Sequence, residues 1–369
     1  MRIGLAEKLL VKVMNWTPAE VATERPLIQA MANFKYDEYQ QFSTGIRFIE
    51  SLARWLNQFD TSEERTTAYN FIKSNLIFIS NAQIAHLVNI CFDDKIHPIL
   101  LGKAANILNV PNYHVKFLYS SNEYKELRRR SLFLGASDGS KIDQLRRNSG
   151  ISNEQVFSSY YISSEKIEDM LKELRKAGFD DKFNSVFFID DFTGSGLSYF
   201  RVENEKYKGK IHTFLTLLYD TEEKQKDPNK QVLSDLINIE NLDIHIIFYI
   251  AKRSSVKYLD EKIAEWKVKA NRTFTHSVDA IQFLDDDIKD KVLADKTFIE
   301  LSEKYFDNSI MTDSYKKGKH DNPYLGFDEC ALPLILNHNT PNNTLPILWL
   351  PESETEKIGL FPRVNRHKE

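Results

Sequence analysis

Phe187-Phe188-Ile189-Asp190-Asp191-Phe192-Thr193-Gly194-Ser195-Gly196-Leu197-Ser198 is the stretch on which the fold turns. Val186 to Ile189 is a short, unbroken apolar run, the mark of a strand covered on both faces, as in a parallel sheet. It ends in two adjacent carboxylates, Asp190 and Asp191. A loop of small residues follows, and Leu197 onward is expected to open a helix. Gly194 and Gly196 would let the backbone take positive φ and come close to a ligand. Amide N–H groups in such a turn, with a helix dipole behind them, form an anion pocket. Thr193, Ser195 and Ser198 add hydroxyls. A phosphate fits there, with sugar hydroxyls or a magnesium ion on the carboxylates upstream. The plain alternative is a strand–turn–helix junction in which Asp191 only caps. Two common phosphate loops are excluded. The chain has no G-x-x-x-x-G-K-[ST] and no lysine in this loop, and Gly194-Ser195-Gly196 does not extend to G-x-G-x-x-G.

Working outward, Ser131-Leu132-Phe133-Leu134 is a second apolar strand, and it runs into Gly135-Ala136-Ser137-Asp138-Gly139-Ser140-Lys141. Ile142 to Arg147 then opens a helix whose N-terminus faces that loop, which makes residues 137–141 a second candidate anion site. Lys141, Arg146 and Arg147 bring positive charge. Arg128 to Arg130 lie close by, and a solvated basic face is the commoner role for such a run. Between the loops, Ile167, Met170, Leu171 and Leu174 stripe a helix from Ser164 to Ala177, with Gly178 suited to end it. That helix is the crossover a βαβ unit requires. Val115 to Tyr119, Ile211 to Tyr219 and Asp243 to Ile250 are further expected strands, and Val232 to Ile237 marks a helix. Residues 113–251 therefore alternate strand and helix, predicting an α/β fold, a mostly parallel sheet with helices on both faces. Ligands of such sheets sit beyond the carboxyl ends of the strands, where both loops lie.

The flanks differ. Residues 1–110 form a helical N-terminal region. Ile46, Ile49, Leu52, Ala53, Leu56 and Phe59 share one stripe, and Thr61 stands three residues before Glu64 as a capping box. The helix that box opens is expected to carry Tyr69, Phe71, Ile72, Leu76, Ile77 and Ile79. Residues 111–255 are the α/β core. Residues 256–369 are a C-terminal helical region ending in an Asn/Pro-rich tail. There Asn337-His338-Asn339-Thr340-Pro341-Asn342-Asn343-Thr344 is turn-forming by composition, yet it also offers amides and an imidazole suited to reading a base or a sugar. Phe361 and Arg363 would stack and bind phosphate if the tail folds over the site; a plain docked tail is the alternative.

With 49 Lys and Arg against 53 acids, the net charge of −4 gives no global basic field for nucleic acid. Cys91 and Cys330 are too few for a disulfide framework, no signal-peptide core opens the chain, and no apolar run approaches the ~20 residues of a membrane span. The expectation is a cytoplasmic protein with no membrane contact. His212 and His245 fall in expected strands and read as core residues. Hydrolase elbows and zinc pairs are absent.

Residues 190–198 fit acidic-Asp-x-x-x-[ST]-Gly-x-[ST] after an apolar strand. This resembles the loop of the type I phosphoribosyltransferase fold that binds phosphoribosyl pyrophosphate (PRPP). The resemblance implies that Asp190 and Asp191 hold the ribose hydroxyls and, mainly through the ligand, Mg2+. It also implies that residues 194 to 198 wrap the 5′-phosphate and that Ser137 to Lys141 grip the pyrophosphate. Taken with 131–140 and 337–346, the chain more narrowly resembles the phosphoribosyltransferase-like effectors of prokaryotic conflict systems. That likeness implies helical extensions, a part in antiphage defence, and a C-terminal extension that packs on the core and completes the site through His338, Asn339, Asn342 and Asn343. Asp138 departs from the pattern, since a basic residue is more usual there, and no hood sequence identifies an acceptor. The expected activity is binding of PRPP or a related nucleotide, with transfer or hydrolysis of its phosphoribosyl group. The alternative is a non-catalytic sensor that engages a protein or nucleic-acid partner of a defence operon through residues 1–110. An oligomer is left open.

Overall fold

The computed structural model describes residues 3–178, 182–220, 222–228, 230–351 and 357–363. The chain forms two compact units: Ala85–Leu284, and Met1–Ile84 together with Asp285–Glu369. In chain order the described strands are β1 Ile77–Ile79, β2 Ser131–Gly135, β3 Val156–Phe157, β4 Ser185–Thr193, β5 Arg201–Glu203, β6 Lys206–Lys208, β7 Asp243–Lys252, β8 Thr275–Leu284 and β9 Leu334–Leu336.

The unit Ala85–Leu284 holds a five-stranded parallel sheet in the order β3-β2-β4-β7-β8. Side chains alternate between its faces. Leu132, Leu134, Val186, Phe188, Ile244 and Ile246 share a core with the helices Ser164–Lys176, Lys210–Tyr219 and Arg253–Lys269. On the other face Phe133 stacks on Phe187 at 5.0 Å and Phe187 on His245 at 4.8 Å. The helix His97–Leu108 is pinned to that face by Lys103, whose Nζ donates to Ser185 Oγ at 2.9 Å and Asp243 Oδ2 at 2.7 Å. Helices thus cover both faces.

Several expected elements are corrected. Val115–Ser120 and Lys210–Tyr219 are helices, not strands. In the second, Ile211, Phe214, Leu215 and Leu218 are buried at i, i+3, i+4 and i+7, a helical stripe hidden inside a continuous apolar run. No helix opens at Leu197. A turn leads instead to the hairpin β5–β6, whose turn residues Asn204 and Glu205 both take positive φ, the geometry that suits two-residue hairpins. Thr275–Leu284, expected to be helical, is the edge strand β8, only half buried along most of its length. Helix Ser62–Asn75 stops before Ile77–Ile79, which is β1.

In the other unit, β1 pairs in parallel with β9. Helices Ile3–Met14, Phe48–Asn57, Ser62–Asn75 and Lys296–Lys304 share one core with residues of the tail. Trp55 Nε1 donates to Ile347 O at 2.8 Å and Ser51 Oγ to Leu360 O at 2.7 Å. The boundaries after residues 110 and 255 therefore move: helices 85–129 belong with the sheet, and the C-terminal stretch belongs with the N-terminal helices. The capping box stands. Glu64 N–H donates to Thr61 Oγ1, and Thr61 N–H to Glu64 Oε2, both at 3.1 Å. Thr61→Ala is expected to cost about 1 kcal/mol, checked as a lower denaturation midpoint with an unchanged m-value.

Candidate functional site

β2 and β4 are neighbours, in register from Ser131↔Ser185 to Gly135↔Ile189. The loops that follow them therefore open side by side at the carboxyl edge of the sheet. One departure from expectation reorganises this site. β4 does not end at Ile189; its pairing with β7 continues through Asp190↔Phe248 and Phe192↔Ile250 to Thr193↔Ala251. The acidic pair lies inside the strand, so its two side chains point to opposite faces.

Asp190 is 1 % exposed. Its Oδ1 accepts from Ser137 Oγ, in a very short hydrogen bond, and from Asp191 N–H at 3.0 Å. Its Oδ2 accepts from Tyr199 OH at 2.7 Å and from Lys210 Nζ at 3.0 Å. Burial, and then the charge of Asp191, push this carboxyl above the usual range, while Lys210 pulls it back. Asp191 is half-buried. Its Oδ1 accepts from Phe192 N–H at 2.8 Å, and its carboxylate lies against Gly139, where any Cβ would collide with it. A side chain at Gly139 would have to push the Asp191 carboxylate aside.

In the turn after β4, Gly196 takes φ +82°, whereas Gly194 does not have positive φ. Thr193 is buried, and its hydroxyl accepts from Gly196 N–H at 3.2 Å, so it faces inward rather than toward a ligand. Leu197 N–H donates to Ser195 Oγ at 3.4 Å. No acceptor among the described residues takes the N–H of Ser195 or Ser198, which are half-buried and exposed respectively. The backing helix is not the expected one. It is Arg253–Lys269, whose Ser255 Oγ donates to Thr193 O at 3.2 Å.

In the loop after β2, Ser137 is turned toward Asp190, and Ser140 is buried with its carbonyl accepting from Tyr249 OH at 2.6 Å. Asp138 is exposed, Gly139 and Lys141 are half-buried, and helix Ile142–Ser149 starts there as expected. Arg146 is half-buried on that helix. Arg128 to Arg130 are not a solvated face. Arg128 donates to Ser149 O at 2.6 Å, Arg129 to Glu173 O at 3.1 Å and Arg130 to Lys182 O at 3.1 Å.

A parallel α/β sheet, paired small-residue loops at its carboxyl edge and an acidic pair within the central strand are thus on one unit. The PRTase-CE family model, the phosphoribosyltransferase of conflict systems, matches residues 52–363. The chain belongs to this family. No curated protein and no solved structure matches it.

The PRTase-CE match extends over the Asn/Pro-rich turn and the tail, which lie in the other unit. Their local roles there are structural. Asn339 closes a tight turn with Leu336 through 3.1 and 3.3 Å backbone bonds. Asn342 O accepts from Phe327 N–H at 2.7 Å, Asn343 Nδ2 donates to Phe327 O at 3.1 Å, and His338 O accepts from Gln41 Nε2 at 2.8 Å. Phe361, expected to stack on a ligand, is instead fully buried among Tyr36, Tyr39, Phe42, Phe48 and Phe78. Arg363 lies over the Trp349 ring at 5.1 Å. Tyr199 and Lys210 were missed by the sequence reading. Tyr199 reaches Asp190 from the turn after β4, and Lys210 reaches it because the hairpin β5–β6 folds back, which no local spacing announces.

Among the described residues no group of three or more His, Cys, Asp or Glu side chains is placed to hold a metal ion. Asp190 and Asp191 point to opposite faces of β4, so the pair does not close on one ion; magnesium would reach Asp191 only with most of its ligands supplied by a bound phosphate and water. No described helix is long and apolar enough to cross a membrane.

Proposed function

We propose that this PRTase-CE protein binds a phosphorylated ribose, PRPP or a close relative, at the carboxyl edge of its sheet and transfers or hydrolyses the phosphoribosyl group. The observation that carries this reading is the turn 194–198. Its Ser195 and Ser198 N–H groups meet no acceptor among the described residues, and the positive end of helix Arg253–Lys269 stands behind it. On this reading the 5′-phosphate lies on those amides and the ribose reaches Asp191. The pyrophosphate lies along Asp138 to Lys141, with Lys141 and Arg146 offsetting its charge. Magnesium, carried in with the ligand, would neutralise the pyrophosphate. Displacement at the ribose C1 passes through an oxocarbenium-like state, so the protein acts by positioning and electrostatics. Its cellular role is that of an effector in bacterial antiphage defence, with the helical residues 1–110 engaging a protein or nucleic-acid partner.

Calorimetry with ribose 5-phosphate and with ribose tests the phosphate site. Saturable binding of the first and none of the second is expected, because the 5′-phosphate supplies the charge-assisted hydrogen bonds. Equal binding of both sinks the assignment. Pyrophosphate release from Mg·PRPP across a panel of acceptors, water included, separates the enzyme from a sensor that binds without turnover.

A further inference from the structure

We infer that Asp190 and Lys210 form an internal clasp joining the loop after β2 to the hairpin after β4, and that Asp191 alone of the acidic pair meets a bound ribose or its magnesium ion. The second half of this inference rests on the phosphoribosyl reading above; the first half does not.

Both oxygens of Asp190 are saturated. Four donors address them: Ser137 Oγ from one loop, Asp191 N–H from the strand, Tyr199 OH from the turn and Lys210 Nζ from the helix beyond the hairpin. A carboxylate offers about four acceptor positions, so a ribose hydroxyl or a metal ion could join only by displacing one of them. The side chain is also 2 % exposed, against 28 % for Lys210. Asp191 is half-exposed at the loop edge and faces the opposite side of the sheet.

The backbone is shaped to bring Lys210 there. Lys210 N–H donates to Ser198 O at 3.1 Å and Ile211 N–H to Tyr199 O at 3.0 Å, closing the base of the hairpin. Gly209 takes φ +115° and lies so close to the Tyr199 carbonyl that any side chain would collide with it. Lys210 Nζ then sits 4.8 Å from the centre of the Tyr199 ring as well as 3.0 Å from Asp190. Tyr199 OH also lies 3.1 Å from Phe192 O. One buried anion thereby fixes three segments that are separate in sequence: Ser137, Tyr199 and Lys210. Lys210 and Asp190 are positioning residues in this account, and Asp191 is the residue that touches the ligand.

Hydrogen–deuterium exchange on the ligand-free protein tests the clasp. Lys210→Met strands the Asp190 charge, and removing one partner of a buried pair is strongly destabilising. Exchange over residues 137–141 and 199–210 is expected to rise together by at least about tenfold. Lys210→Arg should restore most of the protection, because it keeps the charge. The double variant D190N/K210M should be better protected than K210M alone, because neither charge is then left unpaired. D191N should leave residues 199–210 at the wild-type level. A K210M protein with wild-type exchange in both segments overturns the clasp, as does K210R behaving like K210M. The ligand half is read separately by calorimetry with Mg·PRPP. K210R that binds like wild type beside D191N that does not supports it, and D191N binding like wild type overturns it. If the wild type binds no PRPP, the phosphoribosyl reading and the ligand half fall, and the exchange result still decides the clasp.

Discussion

Asp191→Asn is expected to weaken Mg·PRPP binding by about 100-fold, since hydrogen bonds from two ribose hydroxyls to a charged acceptor are worth ~3 kcal/mol together. Asparagine keeps the shape and the carbonyl, so the fold and the 2.8 Å bond from Phe192 N–H have no reason to change. What it removes is the negative charge beside Gly139, the group a sugar hydroxyl or a ligand-borne magnesium ion would seek. Calorimetry at fixed salt and magnesium measures the loss. Ribose 5-phosphate should weaken by the same factor, because it offers the same hydroxyls, while inorganic phosphate, which never reaches Asp191, should keep its affinity. An Asp191→Asn protein that binds Mg·PRPP as the wild type does would remove the ribose from this edge.

On acidification from about pH 6.5 toward pH 3, His245 is expected to take ~4 kcal/mol from the stability of the unit Ala85–Leu284, and His245→Gln should remove that contribution. His245 lies on β7, 7 % exposed and stacked on Phe187. Burial first, and then the charge of Lys103, push its imidazole down to about 3, against the partial opposition of Asp243. The unfolded chain binds a proton at the ordinary value near 6.5; the folded chain refuses it. Stability is therefore present above 6.5 and is lost as pH falls through the window to about 3. Asp190 works in the other direction, since its raised carboxyl takes up a proton more readily when folded. That contribution is common to both proteins, so the difference between them isolates His245. Urea midpoints of wild type and variant across pH 3.5–7 give the comparison. Parallel slopes would mean that His245 accepts a proton in the folded state, through Ser277 Oγ at 2.7 Å or by local opening.

The sheet was legible where the physics is local. Apolar runs at Leu132–Leu134, Val186–Ile189 and Ile244–Ile250 give buried parallel strands because both faces are covered. The crossover helix and the Thr61–Glu64 box follow from periodicity and capping. Illegible features depend on what packs against them. Ile211–Tyr219, expected as a strand from its apolar run, is a helix that buries Phe214 and Leu218 in the core. β8 is an edge strand, half-wet and rich in polar residues, so its apolar signal is thin. Around Asp190 to Ser198 the residue types foretold a buried strand followed by a small-residue turn. Their orientations did not follow, because the strand runs four residues longer than its apolar stretch and parts the two carboxylates. Lys210 enters through a hairpin whose closure is a long-range event, and of the two readings of Phe361, ligand stacking or a docked tail, its five aromatic neighbours match the second.

The most direct test is a crystal soaked with PRPP and magnesium. The 5′-phosphate should appear on the Ser195 to Ser198 amides, with the ribose hydroxyls on Asp191 and the bonds of Asp190 to Ser137, Tyr199 and Lys210 intact. Ligand density away from the turn that follows β4, or a ribose seated on Asp190 with Lys210 displaced, would contradict the account.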